Sequence, residues 1–324
     1  MNKTNKISVR TDLAMEACEL LSKEETYKGI ETEMKRTDGI EITTVRITND
    51  NAAEAVGKPK GTYISIEADK MKGADADFRQ KVIEITADML KTVLNFDREK
   101  NIFVAGLGNR YITPDSLGPK VVAKILVTRH IRDTLSDKID ESVASVAAIA
   151  PGVMGITGIE TAEILKGIIE RIKPDAVIAI DALAARRTSR INSVIQIADS
   201  GISPGSGVGN KRMLLNEESL GVPVIGIGVP TVVSAATLVN DSMERILYAM
   251  AEASKEKLFY NTLNNLGDER EALIAELLEP YAENMFVTPK EVDEVIERLA
   301  EIISNAINIA VHPALTKEDI NKYV

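Results

Sequence analysis

Apolar and polar positions follow two periods along the chain, and the strongest rhythm lies in the central third. Ile102 to Ala105 is a short apolar run ending in Gly106-Leu-Gly108. Beyond a loop through Asp115, the segment Leu117 to Ile131 places Leu117, Val121, Val122, Ile125 and Leu126 at helical spacing. Val143 to Ile149 reads as a second buried strand, stopped by Pro151-Gly152. Thr157 and Glu160 stand in capping-box spacing ahead of an apolar stripe (Ile159, Ala162, Leu165, Ile168, Ile169, Ile172) that Pro174 ends. Asp175 to Ile180 is a third strand of small and β-branched residues, halting at Asp181. Val194 to Ile197 and Val222 to Val229 follow as strands, the latter leading through Pro230-Thr231 into an apolar helix to about Glu252. Strands alternating with helices, the strands nearly continuous in apolar residues, predict a mostly parallel sheet covered by helices on both faces.

The flanks differ from this centre. Residues 25–70 hold alternating segments, Ile40 to Ile47 and Thr62 to Ile66, which predict a small antiparallel edge at the N-terminal side. Beyond Lys255 the pattern is helical and charged, and Thr288-Pro289-Lys290-Glu291 reads as a capping box with proline at the first helical position. The expected class is α/β, with one domain over 13–324 whose helical C-terminal part occupies about 255–324.

Composition narrows the function. Lys and Arg number 39 against 49 Asp and Glu, a net charge of −10, which disfavours broad binding to nucleic acid or an anionic membrane. The single cysteine, Cys18, forms no internal disulfide, and the polar opening MNKTNKISVRTD lacks the apolar run of a secretory signal, so a cytoplasmic protein is expected. With only His130 and His312 beside that cysteine, sites needing several soft ligands lose support.

In an open parallel sheet, ligands bind beyond the carboxyl ends of the strands. Asp115 follows one such strand and Asp181 another, so both are expected in one crevice. Two acids in a low-dielectric cleft share a proton around a water, or hold a metal that activates one; the bland alternative is that each caps a helix or forms a turn. Other motifs are weaker. Gly201-Ile-Ser203-Pro-Gly205 fits the nucleophile-elbow pattern, but Pro204 lacks the N–H that an oxyanion hole there requires. Gly106-Leu-Gly108 has Tyr111 where a dinucleotide fingerprint has its third glycine. Asp199 reads as a turn residue or a third acid near the cleft, and Gly205 to Gly209 as a flexible loop or anion cradle. Arg186, Arg187 and Arg190 form a solvated face or receive a substrate carboxylate.

The segments GLGNRYITPDSLGP (106–119), APGVMGITGIET (150–161), AVIAIDALAARR (176–187), IADSGISPGSGVGNKR (197–212) and GVPVIGIGVPTVV (221–233) resemble the germination protease family of spore-forming bacteria. The resemblance runs from about Ser8 to the C-terminal helices. It implies an endopeptidase that begins the degradation of small acid-soluble spore proteins, with a fold similar to hydrogenase maturation proteases and catalytic aspartates at Asp115 and Asp181. It leaves a bare acid pair or a divalent metal as alternatives. It also implies a homotetrameric, self-processing precursor in the forespore or spore core. Ser8 to Glu16 resembles the spore-protein cleavage sequence, placing the cut between Asp12 and Leu13 and making 1–12 a propeptide. A metal-dependent maturation-type peptidase and a non-enzymatic spore-protein binding module are the rival readings.

Overall fold

The computed structural model describes residues 11–21, 28–73, 75–95, 101–135, 143–205, 212–254 and 285–312. The expected loop at 206–209, the first ten residues and much of the expected C-terminal helical part lie outside them.

One nine-stranded sheet runs through the molecule in the order β1-β2-β3-β7-β8-β6-β4-β5, with β9 attached to β8. The strands are β1 Ile30–Thr37, β2 Ile40–Ile47, β3 Gly61–Glu67, β4 Asn101–Gly106, β5 Ser145–Ile149, β6 Ala176–Ala185, β7 Val194–Ala198, β8 Val224–Ser234 and β9 Phe286–Val287. The expected mostly parallel sheet needs correction. Only β5, β4, β6 and β8 pair in parallel, while β1, β2, β3 and β7 join β8 through consecutive antiparallel pairs. The antiparallel part is half of the sheet because β7, too short for local periodicity to give a direction, runs opposite to β8 and links the edge to the parallel centre.

Side-chain parity assigns the two faces. Ile102, Val104, Ile178, Ile180, Ile195 and Ile197 face one way, into a core shared with helix α3 (Ala76–Leu94) and the C-terminal helix Val292–Val311. Phe103, Ala105, Val177, Ala179 and Val194 face the other way, against the helix Thr161–Ile172 and the N-terminal residues Leu13 and Met15 of α1 (Ala14–Glu19) and its cap. Each fully buried aliphatic side chain contributes about 1.5–3 kcal/mol, so both layers are held by burial on both faces. Parity also places Asp181, two residues after Ala179, and Gln196, two after Val194, on the second face.

Several element ends differ from expectation. The helix after Leu117 stops at Val122, and a second begins at Arg129. Asn308 interrupts it, accepting from Leu126 N at 3.0 Å and donating to Lys124 O at 3.1 Å. Thr157 ends a short helix, and Glu160 with Glu163 makes the capping box of the helix Thr161–Ile172 instead. Thr288 caps nothing: its hydroxyl donates to Thr231 O, and the helix begins at Val292. The strand expected to end at Val229 continues through Pro230 to Ser234, with a register shift in β6 opposite.

Candidate active site

Strand β6 outruns β4. The last residue of β4, Gly106, is registered with Ile180, and Leu107 N donates to Ile180 O at 2.7 Å. Asp181 therefore lies within β6, not after it, at the first position whose neighbour on that side is a loop. That loop folds back tightly. A Cβ at Gly106 would lie 2.2 Å from Gly118 O, and one at Gly108, whose φ is +102°, would lie 2.1 Å from Asp115 O. Only glycine fits either contact. Asn109 N donates to Asp115 Oδ2 at 2.8 Å, and Thr231 Oγ1 of β8 donates to Pro114 O at 2.7 Å, which fixes the turn carrying Asp115.

Asp115, Asp181 and Asp12 line one cleft of about 360 Å³, together with Arg212 and Thr231. Asp181 is 4% exposed, and Ala182 N donates to its Oδ1 at 2.9 Å. Burial pushes its carboxyl well above the aspartate range, reinforced by the charges of Asp115 and Asp12. Burial also raises Asp115, but the Asn109 N–H and the Arg212 charge oppose the shift. Both carboxyls are thus displaced upward, Asp181 the further, with the charge of Asp115 adding to its shift.

The N-terminal segment crosses the same face. Asp12 N donates to Ala184 O at 3.0 Å, and Ala184 N returns a bond to Asp12 Oδ2 at 2.9 Å. Leu13 is fully buried. Glu16, 1% exposed, accepts from Arg186 N at 2.7 Å and Arg187 N at 3.1 Å. Arg190, 6% exposed, reaches Glu16 at 3.3 Å and holds Glu19 through both Nη atoms. The three arginines thus converge on acids of the chain's own N-terminal segment, with Arg186 and Arg187 meeting Glu16 through the main chain. Sequence reasoning missed Lys58, Ala184, Gln196 and Thr231. The one legible signal was Gln196, a polar residue inside the buried strand Val194–Ala198.

Of the remaining candidates, Pro204 and Gly205 line the same cleft, and the others lie elsewhere. Asp199 Oδ1 accepts from Thr62 N at 2.7 Å and serves the sheet edge. His130 is exposed, and His312 is the C-cap of the C-terminal helix, fully buried, its Nε2 3.3 Å from Leu126 O. Burial pushes the Cys18 thiol up to about 11, which makes it unreactive. Among the described residues no three His, Cys, Asp or Glu side chains form a group able to hold a metal. Asp115, Asp181 and Asp12 each accept one backbone N–H on a carboxylate oxygen.

The α/β sheet thus brings a buried acid, Asp181, and a half-buried one, Asp115, into one cleft at its strand ends. Comparison with known proteins gives the family. The germination protease model matches residues 10–264 and 249–324. The chain is 49% identical to the germination protease of Clostridium acetobutylicum, over 98% of this chain and 99% of that protein. It is 47% identical to that of Caldanaerobacter subterraneus, over 98% of each, and 41% identical to that of Bacillus cereus, again over 98% of each. The chain belongs to the germination protease family and is a peptidase. A solved NiFe hydrogenase maturation protease HycI from Thermococcus kodakarensis aligns with 68% of this chain and 98% of its own at 18% identity and TM-score 0.34, too slight a likeness to bear on the site. No helix among the described residues is long and apolar enough to cross a membrane.

Proposed function

We propose that this peptidase cuts small acid-soluble spore proteins at germination, using Asp115 and Asp181, and is made as a precursor that removes its own residues 1–12. The observation that carries the reading is the placement of Asp12 in the cleft lined by Asp115 and Asp181, with Leu13 buried beside it. The acid before the bond meets the Ala184 N–H, and the acid three residues after Leu13 meets Arg190, so acids on both sides of a scissile bond find partners.

The electrostatics assign roles. Asp181, more deeply buried and facing the charges of Asp115 and Asp12, holds a proton, and Asp115, less buried, is the base. Asp115 takes a proton from water as the water oxygen adds to the carbonyl carbon of Asp12. Asp181 then protonates the Leu13 nitrogen as the C–N bond breaks, leaving a new carboxylic acid at Asp12, whose proton passes to Asp181, and an amine at Leu13, while Asp115 returns its proton to solvent. The same cycle serves a spore-protein bond presented in trans.

Self-processing is tested by incubating the purified full chain at mildly acidic pH and weighing it by mass spectrometry. Loss of residues 1–12 in the wild type, but not in Asp181→Asn or Asp115→Asn, supports the reading. A chain that keeps its first 12 residues, or an Asn variant that processes at the wild-type rate, refutes it. The site of action is the cytoplasm of the forespore or spore core, and the assembly is a homotetramer. Exposed Leu238, Ile246 and Tyr248 on the helix Ala235–Ser254 support a subunit contact there, which sedimentation of a variant with all three changed to Ser would test.

A further inference from the structure

The carbonyl of Asp12 has two side-chain donors that the acid pair does not explain. Lys58 Nζ lies 3.1 Å from Asp12 O and Gln196 Nε2 lies 3.2 Å from it. Gln196 also accepts from Ala14 N through Oε1 at 2.7 Å, so one side-chain amide holds the main chain on both sides of Leu13, as a neighbouring strand would. From this juxtaposition we propose that Lys58 and Gln196 form the oxyanion site for cleavage after Asp12.

The fold builds this site deliberately far from the acids' own loop. Gln196 and Asp181 are both registered against Gly228, so their side chains stand on one face of the sheet, two strands apart. Residue 12 spans that interval: its amide is bonded to Ala184 on β6, and its carbonyl oxygen points to Gln196 on β7. Lys58 arrives from the opposite side. Helix α2 (Asp50–Val56) ends at Gly57 with φ +70°, and the turn throws Lys58 toward the N-terminal segment. Pro59 O accepts from the buried Tyr63 hydroxyl at 2.8 Å, which anchors the turn. Burial pushes the Lys58 ammonium below the usual lysine range, and the Asp12 carboxylate opposes the shift. An ammonium in such surroundings is poorly hydrated and gains more from a developing negative charge than a lysine in water.

The chemistry balances. As the water oxygen bonds to the Asp12 carbonyl carbon, the C=O π pair moves onto the carbonyl oxygen, and the water's proton goes to Asp115. The charged oxygen draws the two donors from hydrogen bonds near 3.1–3.2 Å to shorter, charge-assisted ones. Collapse restores the C=O bond, expels the Leu13 nitrogen with the proton of Asp181, and relaxes both contacts. The donors thus act more strongly in the transition state than in the resting complex, which is what raises a rate.

This proposal rests on cleavage at Asp12–Leu13, and the experiment separates the two. The full chain is followed for loss of residues 1–12 under first-order conditions, with Asp181→Asn as the acid-pair control. Lys58→Met and Gln196→Leu are each expected to slow processing about 10²–10³-fold, the usual cost of one oxyanion donor. In Lys58→Ala, added ethylammonium is expected to restore at least tenfold of the lost rate, whereas ethanol, of similar size and uncharged, restores none. Rescue requires a folded cleft and a cation at the carbonyl, so a misfolded or merely propped-up variant does not show it. Processing of Lys58→Met and Gln196→Leu within threefold of wild type, while Asp181→Asn is dead, overturns the oxyanion site and leaves the acid pair standing. Equal rescue by ethanol and ethylammonium also overturns it. Cleavage of the wild type at some other bond overturns both.

Discussion

Arg190→Met is the sharpest test of how the N-terminal segment is held. Arg190 lies among Glu16, Glu19 and Glu67, at 3.3 Å, 2.7 Å and 3.5 Å respectively. The Glu19 and Glu67 side chains are 34% and 28% exposed, and both can turn to water when the guanidinium is gone. Glu16, at 1%, cannot. Removing one partner of a buried ion pair costs about 3–5 kcal/mol, and the Arg186 and Arg187 N–H groups that still serve Glu16 put this case near 3 kcal/mol. Glu16→Gln should cost less, about 1–2 kcal/mol, because Arg190 keeps two other carboxylates. Combined, the two changes should cost less than their sum by about 1–3 kcal/mol. The assay is urea unfolding of the four proteins at pH 7, with hydrogen exchange of Ala14–Glu19 as the local readout. A loss below 0.5 kcal/mol for Arg190→Met, or strict additivity in the cycle, would show that the buried arginine does not compensate Glu16.

Other outcomes follow from the same electrostatics. Asp115→Asn and Asp181→Asn should fold normally while cleavage of a spore-protein peptide falls by roughly 10²–10⁴-fold or more, read as kcat/KM. The rate should be bell-shaped in pH, its acid limb set by Asp115 and its alkaline limb by Asp181, both above the ordinary aspartate range; a flat profile would sink the assignment. Because the folded-state pKa of Asp181 is raised, its contribution to stability is full below the ordinary aspartate value of about 3.9 and lost as pH rises through the folded value. Asp181→Asn should therefore be more stable than wild type near neutral pH by about 1–2 kcal/mol, the gap closing on acidification, as thermal unfolding against pH would reveal. Asp12→Ala should block loss of residues 1–12, and unaltered processing would refute the cleavage position.

The acid pair and the alternating core were legible because each is written locally: short apolar runs, glycines where the loop doubles back, an acid just past the last strand pair. What was not legible depends on partners far along the chain. The helix predicted through Ile131 breaks because Asn308, 182 residues from Leu126, takes over its backbone groups. Asp181 reads as the end of a strand because an acid is rarely buried in one, yet β6 continues, with β8 and the N-terminal segment supplying neighbours. Lys58 gave no signal, since a lysine after a helix usually belongs to solvent and only the docking of residue 12 gives it a carbonyl to meet. Conversely, the arginine cluster was visible, but its binding mode, through two main-chain amides and the guanidinium groups of Arg187 and Arg190, was not.

Cutting after Asp12 would leave Leu13 to Glu19 still covalently part of the enzyme, with Leu13 buried and Glu16 on Arg190. A leaving group that stays attached competes with every incoming substrate at an effective concentration on the order of millimolar. Under the proposed cleavage, losing the leader would be only half of becoming active: the fresh amino terminus would also have to vacate its berth, and the spacing between those two events would set a built-in delay before digestion begins.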